Sequence, residues 1–97
     1  MTDATTDSRK AAQDRVRALI SLLDRQPASD AKTKLMEECE ALARAIAAFH
    51  MEGIRFRSYN VDRLLQAGGE AVPPGAAEVF ADLRRDLEAA GFHTRSH

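Results

Sequence analysis

The chain has a single cysteine, Cys39, no tryptophan, and only 3 prolines and 5 glycines. One cysteine excludes an intrachain disulfide and any multi-cysteine zinc site built within one chain. No apolar run approaches the roughly 20 residues that a membrane-spanning helix needs. The start, "MTDATTDSRK", lacks the apolar core of a signal peptide, so the expected location is the cytoplasm and no membrane partner is expected. Neither sign of charge dominates, with 14 Lys+Arg against 15 Asp+Glu. A wholesale attraction to DNA or to anionic lipid is therefore not expected, although a local basic patch stays open. A glycine-rich phosphate loop, HExxH, CxxC and GxSxG are all missing, which removes the usual routes from sequence to an enzyme.

What is present reads as helix. Ninety-seven residues make one small domain. A chain of that size buries only roughly 60–65% of the surface its unfolded form exposes, so a lone monomer is marginal. Residues 1–7 are Thr/Asp-rich and expected to be disordered. From Ser8 onward Ala12, Val16, Leu19, Ile20 and Leu23 form a helical stripe, with Asp7 or Ser8 as its cap. "RQPASD" ends that helix at about residue 25, and Ser29 or Asp30 is placed to cap the next. After "EAVPPG", Ala76, Val79, Phe80, Leu83, Leu87 and Ala90 mark the buried side of a last helix over 74–90, with Pro73 or Pro74 in its first turn. Gly91 suits a left-handed cap, Phe92 suits the apolar contact that accompanies it, and 93–97 reads as a flexible tail.

The middle of the chain is the ambiguous part. Leu35, Cys39, Leu42, Ile46, Phe49, Gly53, Phe56 and Asn60 are spaced alternately four and three, a heptad seam kept for about four heptads. One helix over 31–67 would be about 55 Å long. The alternative ends a helix at Glu52 and makes "IRFRSYNV" a strand, with Arg55 and Arg57 on one face. A lone strand needs a partner that nothing else in the chain supplies, and a mid-helix glycine costs only about 1 kcal/mol. The continuous helix is therefore the expectation for 53–60. Its second half is apolar on two sides, Phe49, Phe56 and Leu64 against Met51, Ile54, Val61 and Leu65, and a helix apolar on two faces must be covered twice. The last helix supplies one cover, and the other falls to the first helix, if it reaches that far, or to a second copy of the chain.

Candidate chemistry is thin. His50 follows the seam residue Phe49 and is the candidate phosphoacceptor or ligand, because phosphotransfer proteins present one imidazole on the side of a helical bundle. In their motif a basic residue and a glycine follow the histidine. Here Glu52 stands where a cation would help, and the glycine is Gly53. Metal binding in bundles uses Glu-x-x-His on paired helices, but Ala47 occupies the glutamate position before His50. Cys39 and His50 are separated by about 16 Å along a helix and cannot ligate one ion within a chain. His93 and His97 sit in the tail. Cys39 has acidic neighbours Glu37, Glu38 and Glu40, which disfavour a thiolate, so a packing role is expected. No cofactor or metal is expected. Asn60 at a seam position suits a polar residue that fixes register.

The expected fold is thus all-α, three helices around a long central one, dimerising into a larger bundle. The expected function is a small protein-interaction or regulatory module, more a binder than an enzyme, that pairs with itself and with another protein. Phe49, Ile54, Phe56, Val61 and Leu65 are the expected anchors, and Arg55, Arg57 and Tyr59 the rim, residue types enriched at interfaces. Two alternatives are a nucleic-acid-binding regulator acting through Arg55 and Arg57, and a phosphotransfer or metal-binding bundle acting through His50.

Overall fold

The computed structural model describes residues 4–92, which fold as four α-helices with no strand among the described residues. These are α1 (Ala4–Asp24), α2 (Asp30–Ala47), α3 (Met51–Ala67) and α4 (Ala76–Ala89), with one 3-10 turn at Gly69–Ala71. The all-α expectation holds. The tail assigned to 93–97, with His93 and His97, lies outside the described residues, as does the very start of the segment assigned to 1–7.

α1 begins at Ala4, so Asp7 and Ser8 lie within its first turns instead of capping it. Ala12, Val16, Leu19 and Leu23 are buried along one side, and Ile20 packs against them. The α1–α2 connection is closed by hydrogen bonds. Ser29 Oγ accepts from the Lys32 amide and caps α2. The Lys32 ammonium in turn donates to the carbonyls of Asp24 at 3.0 Å and Gln26 at 2.7 Å, which the end of α1 leaves without helical partners. α4 starts at Ala76, two residues later than expected, because Pro73 and Pro74 stay in the connection and Gly75, with φ 89°, makes the entry turn. At its end Gly91 adopts φ 94°. The amides of Gly91 and Phe92 bond back to Glu88 and Leu87, and Phe92 is buried, a Schellman cap with its apolar contact.

The central helix does not form in one piece. α2 stops at Ala47, Phe49 takes φ 56°, and α3 starts at Met51. The Phe49 amide bonds to the Ile46 carbonyl and the His50 amide to the Ala45 carbonyl, a second Schellman cap. Residues 53–60 are helix, so the strand alternative falls away. The four-three spacing nevertheless predicts α2 correctly, since Leu35, Cys39, Leu42 and Ile46 are all buried. Beyond the corner the phase changes. α3 buries Ile54, Ser58 and Val61, while Phe49 and Phe56 of the seam are exposed. The seam is broken because the left-handed residue turns the chain back on itself, and a new stripe then faces the core.

The helices run alternately up and down. α2 returns along α1, placing Arg9 within reach of the Ala47 carbonyl. α3 returns along α2, and Glu38 meets Arg57 and Asn60 across them. α4 packs mainly along α1, where Arg15 pairs with Asp82 and Asp86. α3 and α4 touch only sparsely, leaving a groove of about 420 Å³ lined by Leu65, Val72, Phe80 and Ala81, with Asp62 and Arg84 paired beside it.

Candidate functional site

The corner between α2 and α3 is built from two capping devices that share a residue. His50 is the last residue of the Schellman cap on α2 and also the N-cap of α3. Its Nδ1 accepts from the Gly53 amide at 2.8 Å, and its carbonyl accepts from the Ile54 amide. That bond takes up one of the first-turn amides that a helix start leaves unpaired. Nδ1 of His50, the candidate phosphoacceptor, is thereby committed to the helix start. Gly53 is needed beside it: a Cβ there would stand 2.4 Å from His50 Nδ1 and 3.3 Å from the Ala45 Cβ. The glycine that the sequence places on a seam therefore serves the imidazole cap and the close approach of α2 and α3.

Around this corner lies the apolar surface of the molecule. The exposed large apolar side chains among the described residues are Phe49 (54%), Met51 (45%), Phe56 (57%) and Tyr59 (49%), all within residues 49–59. The Arg9 guanidinium lies over the Phe49 ring, 3.9 Å from its centroid, and the Phe92 ring meets it at 6.0 Å, tilted by 45°. Helical spacing puts Phe56 and Tyr59 on the outer face of α3, together with Glu52 and Arg55. Phe56 stands as a knob between two shallow hollows. One is lined by Glu52, Arg55 and Tyr59, the other by Ala41, Ala45, Gly53 and Arg57.

The expected anchors divide accordingly. Phe49 and Phe56 are exposed as an interaction site requires, and so are His50, Arg55 and Tyr59. Ile54 and Val61 are fully buried in the chain's own core and are not available to a partner, whereas Leu65 is half-buried and lines the groove beside α4. Ile54 and Val61 belong to the stripe that faces the core once the corner has reset the helical phase. Arg57 is also committed. Its Nη1 donates to both Glu38 carboxylate oxygens, at 3.1 and 3.0 Å, and Asn60 Nδ2 adds a third bond to Glu38 at 3.3 Å. Asn60 thus fixes the register of α3 on α2 within one chain. Met51 is the exposed residue that sequence reasoning left out of the site, and its position directly after the new cap is the reason. Cys39 is buried, and its thiol is pushed up to about 12, first by burial and then by Glu38 and Glu40. It packs in the core, where its thiolate is disfavoured. No cluster of three or more metal-ligating side chains occurs among the described residues, and no described helix is long and apolar enough to cross a membrane.

No protein-family model, curated protein or solved structure matches this chain.

Proposed function

We propose that this protein is a small interaction module that pairs with a second copy of itself through the outer face of α3 and the corner that precedes it. One observation carries the proposal: among the described residues, the exposed large apolar side chains all fall within eleven residues of sequence, 49–59. The surface has the features of a self-complementary patch. A two-fold dimer sets the same surface against itself, so a knob must find a hollow on the same patch. Phe56 and the hollow bordered by Ala41, Ala45 and Gly53 lie side by side. The mechanism is burial of aromatic knobs by helix-on-helix packing, with Arg55 and Tyr59 at the rim as types enriched at interfaces.

The test is the solution mass by light scattering across a dilution series, for the wild type and for Phe56→Asp. The wild type is expected to dissociate from dimer to monomer on dilution, and Phe56→Asp to remain a folded monomer throughout. A wild type that is monomeric at every concentration overturns the proposal.

A further inference from the structure

The α2–α3 corner is where the chain holds a bulky residue in the left-handed region. Phe49 has φ 56°, a conformation that costs a residue carrying a Cβ on the order of 1 kcal/mol. The connection has no slack, since His50 both finishes the cap of α2 and begins α3. Yet Ile46, Phe49, Gly53 and Phe56 keep the three-four spacing of one uninterrupted helix. The bend buries the seam as far as Ile46 and leaves its next two aromatic members in water. A short, strained connection between elements that fit each other is the setting in which copies exchange those elements at low cost.

Resting on the self-association proposed above, we infer that the corner is a hinge and that the homodimer forms by exchange through it. Residues 48–50 straighten, α2 and α3 run on as one helix, and the α3–α4 half of each copy packs on the α1–α2 half of the other. The contacts exchanged are those each chain already makes within itself, α2 with α3 and α1 with α4. Their fit, and the pairs Glu38–Arg57 and Arg15–Asp86, carry over between chains. What is new is the middle, where two helices of about 57 Å lie together and the 48–50 segments of both copies meet. Gly53 fits this two-state role. A side chain there clashes with the His50 ring only while the corner is bent, whereas its 3.3 Å contact with the Ala45 Cβ belongs to the α2–α3 packing of either form, so the bent form is the one that a side chain obstructs more.

The test uses the Glu38–Arg57 pair as a reporter of which chain each half packs on. Glu38→Arg and Arg57→Glu chains are refolded separately and together, and the mixture is weighed by native mass spectrometry. Exchange restores both ion pairs only in the mixed dimer. The mixed dimer should then exceed the statistical half of all dimers, by about threefold or more over the two like dimers combined. Dimers mixed in the statistical ratio overturn exchange while leaving self-association intact. A wild type that never dimerises overturns both. Where the reversed chains fail to fold even together, Gly53→Ala in the otherwise native chain decides. It removes a helix-weakening glycine from the straight form and obstructs the bent one, so the dimer dissociation constant should fall on the order of tenfold. An unchanged or weaker dimer overturns the inference.

Discussion

The imidazole of His50 and the amide of Gly53 are 2.8 Å apart, and the absence of a side chain on Gly53 is what lets them meet. The pair joins backbone conformation to helix initiation at a point where no proline or loop glycine marks a break. Removing the acceptor with His50→Ala is expected to destabilise the fold by about 1 kcal/mol, the usual cost of losing an N-cap. His50→Asn, which keeps a short acceptor, is expected to retain most of that stability. Urea unfolding should show the loss as a lower midpoint with an unchanged slope.

Ser58 is fully buried on the core face of α3, and its hydroxyl has no hydrogen-bond partner among the described residues. A buried hydroxyl without a partner keeps its desolvation cost, about 1–3 kcal/mol. Ser58→Ala removes the hydroxyl at little loss of volume and adds a better helix former. It is expected to stabilise the protein by about 1 kcal/mol, read as a melting temperature higher by about 4–8 °C. An unchanged or lower melting temperature would show that the hydroxyl is satisfied.

The Cys39 thiol sits above its ordinary 9.0, at about 12, because the folded core disfavours the thiolate. The unfolded chain ionises this group first as pH rises, so it loses protons while the native state keeps them. The contribution is therefore intact below about pH 9 and is lost progressively between about 9 and 12. Alkylation of the native protein at pH 8 should be slow and should become fast only on unfolding. Rapid native labelling would place the thiol at the surface.

Glu38 is the acceptor for both Arg57 and Asn60. The Arg57–Glu38 pair is part-exposed, so Arg57→Ala is expected to cost no more than about 1 kcal/mol, with the difference shrinking in high salt. Glu38→Ala should cost more than Arg57→Ala, since it leaves two donors without their acceptor. Paired urea melts at low and high salt would measure both.

Much of the fold was legible because helical periodicity is local. The stripe of α1, the buried run from Leu35 to Ile46, the Ser29 cap and the Gly91–Phe92 cap each follow from spacing and from residues with known terminal preferences. The corner was not legible. Its left-handed position carries phenylalanine where glycine or asparagine would announce it, and its N-cap is histidine where serine or aspartate would. The four-three spacing also continues through it without a change of phase. The two apolar sides of α3 were visible, but the choice of inner side was not. That choice follows from the turn angle at Phe49, which assigns Ile54 and Val61 to the core and Phe56 to the surface. For the same reason the expected residues divide: the aromatic ones stand outside, while Ile54 and Val61 hold the interior together.

The Arg9–Phe49–Phe92 stack gathers the beginning of α1, the α2–α3 corner and the end of α4 at one pole of the bundle. A short tether could therefore join α4 back to α1, and a new opening at residues 48–50 would leave every helix with its present neighbours. Such a circular permutant keeps the helix order in space while severing the one backbone connection that ties α2 to α3.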